Sequence, residues 1–141
     1  GEKLKSDLED RLYNLTKILS KLEKQIPDET QKRAKKYRVR VGELAQDISI
    51  DESRIIQEIA ILAEKADITE EVVRLKSHFD QFKSIIAKID PVGKQLNFLI
   101  QEISREMNTI GSKTSSNDLI NTIIIMKDEL EKIREQTQNI L

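Results

Sequence analysis

Leucine and isoleucine recur at alternating spacings of four and three near both ends of the chain, and no other feature constrains the fold as tightly. Leu8, Leu12, Leu15, Leu19, Leu22 and Ile26 make one such row. Leu119, Ile123, Met126, Leu130, Ile133 and Ile140 make a second, with Thr137 filling its one gap. An average repeat of 3.5 residues keeps one stripe of an α-helix facing a partner helix, which is a coiled-coil seam. Stripes of this length must be covered. The two seams are therefore expected to pack on each other or on a second copy of the chain, and the spacing alone leaves both open.

The rest of the sequence agrees with helix. Only four glycines and two prolines interrupt 141 residues rich in Leu, Ile, Lys and Glu. Start and stop signals divide the chain. Pro27 is followed by Asp28 and Gln31, which resemble a capping pair; Ser49 with Glu52, and Asp67 with Glu70, have the spacing of capping boxes. Asp90 and Pro91 read as a helix start, Gly111 as a helix stop, and Ser115 with Asp118 as a further start. Six helices are expected, near residues 3–26, 29–47, 50–66, 68–89, 91–110 and 117–140, and no segment reads as a strand. The expected fold is all-α, a helical bundle with long antiparallel or coiled-coil-like first and last helices. Residues 1–50 read as a helical extension or coiled-coil hairpin, and 51–141 as a helical domain.

Bulk chemistry excludes several classes. Basic and acidic residues nearly cancel, 24 against 25, so there is no global polycation. Without cysteine there is no disulfide framework and no thiolate metal site. No apolar run approaches membrane-spanning length and no signal-peptide pattern opens the chain, so a soluble, cytoplasmic protein is expected. The chain opens on Gly1 rather than Met, as a processed or excised piece of a longer protein would. No glycine-rich phosphate loop and no nucleophile elbow is present.

Three stretches carry candidate chemistry. In KRAKKYRVR, residues 32–40, six basic residues occur without an acid, and Lys32, Lys36 and Arg40 share one helical face beside Tyr37. That face suits phosphate contact, and it equally suits an ordinary solvated helix surface. In the fourth expected helix, Val72, Leu75, Phe79, Phe82, Ile86 and Ile89 form the buried arc. Glu71 and His78, the only histidine, fall inside or at the margin of that arc, with Arg74 just outside it. Ionisable groups on a packed face are costly unless paired or bound. In the fifth, Leu96, Leu99, Ile100, Ile103, Met107 and Ile110 form a narrow apolar arc. Asn97, Gln101, Glu102, Ser104, Arg105, Glu106 and Asn108 spread over the remainder, with Phe98 as an apolar intruder.

Glu102 and Glu106 stand four apart, where like charges repel. A divalent ion shared with His78, and with Glu71 in reach, would relieve that repulsion, and a mixed nitrogen and oxygen set suits manganese, iron or zinc. Neutralisation by Arg105 would do part of the same job. The turn Gly111-Ser112-Lys113 offers amides, a hydroxyl and an ammonium to a phosphate, or simply ends a helix.

The stretches ADITEEVVRLKSHFDQF (66–82), PVGKQLNFLIQEISREMNTIGSK (91–113) and MKDELEKIREQTQNI (126–140) resemble the carboxy-terminal region of the YicC/YloC family. The resemblance is dense from about Ile55 onward and only general before Ile50. The family motif QEMNREANTIGSK is altered here, Ile103, Ser104 and Met107 standing for Met, Asn and Ala. The resemblance implies a metal-dependent endoribonuclease that cuts single-stranded RNA, an amino-terminal domain not present in this sequence, and assembly into a homo-oligomer. With it, Glu71, Arg74, Arg105 and Asn108 become candidate catalytic residues, His78, Glu102 and Glu106 candidate ligands for a divalent metal such as Mn²⁺, and Lys32, Lys36, Arg40, Ser112 and Lys113 candidate RNA contacts. The alternatives are an RNA-binding adaptor that does not cut, and a purely structural oligomerisation module.

Overall fold

A computed structural model describes residues 1–46, 49, 51–88 and 93–139. Five helices occupy them: α1 (Glu2–Leu44), α2 (Glu52–Lys65), α3 (Thr69–Ile86), α4 (Gly93–Lys113) and α5 (Asn117–Gln138). No strand occurs among the described residues.

The two seams meet each other. Leu8, Leu12, Leu15, Leu19 and Leu22 of α1 and Leu119, Ile123, Met126, Leu130, Ile133 and Thr137 of α5 are all buried. Arg11 reaches Glu129 at 3.3 Å, and Thr122 donates to Gln25 at 3.0 Å, so the two helices run antiparallel. Each fully buried Leu or Ile contributes about 1.5–3 kcal/mol, so this pairing is the spine of the fold. With both stripes covered inside one chain, neither needs a second copy. Ile140, and Ile89 of the arc on α3, lie outside the described residues, as does the Asp90-Pro91 start.

α1 packs on α3 and α5, and α4 packs on the same two helices. The result is an up-and-down four-helix bundle with α1 and α4 on its diagonal. The buried arcs expected on α3 and α4 are buried as expected, from Val72 to Ile86 and from Leu96 to Ile110. One cluster takes in α1, α3, α4 and α5 together, so the division expected at residue 50 does not coincide with a break in packing. The change comes near Pro27 instead. Beyond it α1 has no buried apolar residue, Glu29 and Arg33 being covered as an ion pair, and α2 rests on this overhang with no buried residue of its own.

Several boundaries differ from the sequence signals. α1 passes through Pro27 instead of stopping there. The ring removes one intrahelical hydrogen bond, but Pro27 is exposed, and the pairs Asp28–Lys32 (3.1 Å) and Glu29–Arg33 (2.8 Å), both acid-first at i,i+4, brace the turns that follow. Five helices replace six for this reason. Asp28 is therefore a side-chain partner within a helix, not a cap. The cap of α2 is Asp51, accepting from the Ser53 amide at 3.0 Å, rather than Ser49. Asp67 does serve the start of α3, accepting from the Thr69 amide at 2.9 Å, while Glu70 turns to Arg74. Ser116, not Ser115, caps α5 through the Leu119 amide at 3.3 Å.

Gly111 does not end α4, which continues to Lys113. No glycine among the described residues has positive φ, so the left-handed conformation that selects glycine at a helix end is absent. A Cβ at this position would lie 3.9 Å from Ile123 Cγ2, an ordinary contact. Gly111→Ala is therefore expected to stabilise the fold by about 0.5–1 kcal/mol, read as a higher midpoint in urea unfolding. A lower midpoint would show that the turn after α4 depends on glycine.

Candidate functional site

α4 carries polar side chains on both flanks of its buried arc, and the bundle turns the two flanks toward different helices. On one side α3 runs antiparallel to it. Here Lys113 Nζ lies 3.0 Å from Glu71 Oε1, Arg74 Nη2 lies 3.6 Å from the same oxygen, and Arg74 Nε donates to Glu106 Oε1 at 2.8 Å. Glu70 adds a third carboxylate to Arg74 at 3.5 Å. Glu71 is 1% exposed and Glu106 is 7% exposed, whereas Arg74 and Lys113 keep substantial solvent contact. Two buried carboxylates thus face two half-exposed cations. The Arg74 pKa is driven further up, first by its hydrogen bond to Glu106 and then by the fields of Glu106 and Glu71. Glu106 had been expected off the apolar arc. It is buried because it sits at the α3-facing edge of that arc, where Arg74 satisfies it.

At the mouth of this seam, Lys113 Nζ also donates to the Asp67 carbonyl at 3.3 Å. Hydrogen bonds from the Thr69 hydroxyl and amide hold the Asp67 carboxyl below its usual pKa, with smaller help from Lys113 and Arg33. Asp67 and Glu70 went unnoticed as part of this cluster in the sequence. Their only signal was the capping spacing, which pointed to a structural role.

The metal arrangement does not form. The register that pairs Arg74 with Glu106 sets His78 and Glu102 one turn further along, at matching levels on α3 and α4. His78 Nδ1 is buried without a hydrogen-bond partner, the one feature here that favours a ligand. Yet among the described residues no three His, Asp or Glu side chains gather in a way that would hold an ion. Glu106 is engaged by Arg74, and Glu102 is 3.6 Å from Arg105. His78, Glu102 and Glu106 do not by themselves fit a metal, because the two carboxylates are engaged by different guanidiniums, Glu106 by Arg74 and Glu102 by Arg105.

The other flank of α4 faces α5 across an open groove of about 770 Å³. Arg105, Asn108 and Ser112 line it from α4, together with Gln101 and Ser104. From α5 come Lys127, Glu131 and Arg134, which the sequence reading missed. Arg134 Nε donates to Glu131 Oε2 at 3.0 Å, lowering the Glu131 pKa and raising its own. The seven-residue spacing of Lys127 and Arg134 was the available signal, overshadowed by the seam that it flanks on α5. The candidate set therefore divides. Glu71, Arg74, Glu106 and Lys113 come together on the α3 side, and Arg105, Asn108 and Ser112 on the α5 side.

Lys32, Lys36 and Arg40 lie elsewhere, on the exposed overhang of α1, where they line one shallow surface with Lys35 and Glu43. Lys32 is partly spoken for: its hydrogen bond to Asp28 raises its pKa.

Residues 21–141 match the family described as "Endoribonuclease YicC-like, C-terminal". The chain is 47% identical over 141 residues to the "Probable endoribonuclease YicC" of Clostridioides difficile (strain 630), covering 99% of this chain and 48% of that protein. It is 34% identical over 140 residues to the protein of the same name from Haemophilus influenzae (strain ATCC 51907 / DSM 11121 / KW20 / Rd), again covering 99% of this chain and 48% of the relative. The chain thus spans about half the length of these relatives. Among the described residues no helix is long and apolar enough to cross a membrane. Helices α2 to α5, the ion-paired α3–α4 seam included, fall within the matched span, and the chain belongs to the YicC-like endoribonuclease family as its C-terminal region.

Proposed function

We propose that this chain is the helical part of an endoribonuclease that cuts single-stranded RNA, with α4 as the helix that meets the RNA backbone. One observation carries the reading: two buried carboxylates, Glu71 and Glu106, are held at the surface of the α3–α4 seam by two cations that remain accessible, Arg74 and Lys113. A phosphodiester approaching this seam competes with the carboxylates for the same guanidinium and ammonium. Arginine forks suit phosphate oxygens and stabilise charge that develops there. As Arg74 turns toward phosphate, Glu106 loses its partner and becomes available to accept the proton of the attacking hydroxyl, while the bond from phosphorus to the leaving oxygen breaks and that oxygen takes a proton from water. Arg105, Asn108 and Ser112 on the other flank would hold the neighbouring backbone, and Lys32, Lys36 and Arg40 would add sequence-independent attraction.

Divalent-metal dependence, with manganese the first candidate, is part of the same proposal. This chain would offer His78 and Glu102 to such an ion, and further ligands would have to come from outside it. Homo-oligomerisation also belongs here, supported by the apolar side chains of Val39, Leu44, Ile56 and Ile61 that α1 and α2 leave exposed.

The test uses the longer natural protein, single-stranded and duplex RNA of one sequence, and buffers with manganese or a chelator. Cleavage confined to the single strand and lost on chelation is expected. RNA bound but left intact in every buffer would favour the adaptor reading, for which the basic face of α1 is sufficient.

A further inference from the structure

Phe98 breaks the polar pattern of α4: it is 60% exposed, although a chain with so few aromatics has every reason to bury them. It stands at the rim of a groove of about 550 Å³ between the end of α3 and the start of α4. Ile85 and Leu99 supply apolar surface, Lys88 and Lys94 supply positive charge, and Gln81 and Gln95 supply amide donors and acceptors. No carboxylate is among the described residues lining it. The groove surface is mostly apolar, and the two lysines beside it have no described carboxylate among its lining residues to balance their charge, which favours an anionic partner with a flat apolar face. A single flat aromatic ring flanked by ammonium groups and amides matches such a ligand, a nucleobase with its phosphate.

We propose that Phe98 is a base-stacking platform for single-stranded RNA, with Lys88 and Lys94 contacting the adjoining phosphates. The inference rests on the RNA reading above and adds a subsite to it. Phe98 shares the outward face of α4 with Glu102 and Arg105, at i+4 and i+7. At 1.5 Å per residue the ring lies about 10 Å along the helix from Arg105 and about 12 Å from Glu106. A strand stacked on Phe98 would therefore run along α4 toward the ion-paired seam. Stacking is tolerant of sequence because every base has a π-face, so this subsite would select single strands over duplexes without choosing among bases.

The test measures binding of a non-cleavable single-stranded oligoadenylate to the longer natural protein across a salt series. Phe98→Leu keeps an apolar side chain but removes the ring, and should weaken binding about ten-fold with the salt slope unchanged. Lys88→Gln with Lys94→Gln should instead flatten the slope by roughly one to two units. Phe98→Trp should retain the affinity and show fluorescence quenching on titration with the oligonucleotide. Wild-type affinity in Phe98→Leu overturns the platform while leaving the RNA reading intact, and a change in oligomeric mass with unchanged RNA affinity does the same by revealing a protein contact. Failure of the unsubstituted protein to bind the oligonucleotide overturns both.

Discussion

Lys113→Met should lower the unfolding free energy by about 2–3 kcal/mol, a large loss for a single charged side chain. Removing one member of a buried pair strands the other, at about 3–5 kcal/mol when burial is complete. Glu71 is 2% exposed in its side chain, but Lys113 is 33% exposed and Arg74 Nη2 remains 3.6 Å from the carboxylate, so the loss falls at or below the lower edge of that range. The Asp67 carbonyl loses a donor in the same variant. Adding Glu71→Gln to Lys113→Met should return part of the stability, because the stranded charge is then gone. A double-mutant cycle in urea reads this directly. Additive losses would mean that the pair is solvated and that the seam is an ordinary surface.

Glu106→Gln should reduce RNA cleavage by the longer protein by about 100-fold or more, the usual scale for losing a general base, with little change in helical content. The amide keeps the shape and an acceptor for Arg74 Nε but cannot take a proton. Arg74→Lys should fall between this variant and wild type, since an ammonium keeps the charge and loses the planar fork. Glu102→Gln separates the two accounts of the site. If the ion-paired seam does the chemistry, that variant stays within a few-fold of wild type, because the one ion pair of Glu102 among the described residues is with Arg105. A metal held through Glu102 would instead make it as damaging as Glu106→Gln, with partial rescue at higher manganese. Both measurements are single-turnover rates with RNA in limiting amount.

The helices were legible wherever a stripe of apolar residues repeats at helical period. Both seams and both buried arcs are where periodicity places them, since burying a leucine row leaves little freedom. The ends were less legible, because caps and breakers contribute only about 1 kcal/mol each and yield to packing and to neighbouring ion pairs. Pro27 lost to the helix around it, and Gly111 became an interior residue. The site was half legible. Glu71 stood out because an ionisable group on a buried arc demands partners, and Arg74, just outside that arc, and Lys113 of α4 supply them. What periodicity could not give was the rotation of α4 between its two neighbours. That rotation sends Glu106 toward Arg74 and Arg105 toward Lys127 and Arg134, dividing one apparent cluster between two faces. Assigning Glu102 and Glu106 to one ion assumed that residues four apart share an environment, and here a cation from another helix intervenes.

The unbroken passage of α1 through Pro27 makes this helix a lever. Its 43 residues span about 65 Å, the first half clamped in the bundle and the second carrying α2 and the basic face at Lys32, Lys36 and Arg40. Just past the last buried leucine stands Pro27, whose ring removes one intrahelical hydrogen bond. A bend of roughly 10° there would carry Leu44, roughly 25 Å away along the axis, through about 4 Å. A proline ring crowds the preceding turn on one side only, so such a bend has a preferred direction. Such a bend at residue 27 would change the distance from the basic face to the α4 surface without altering either.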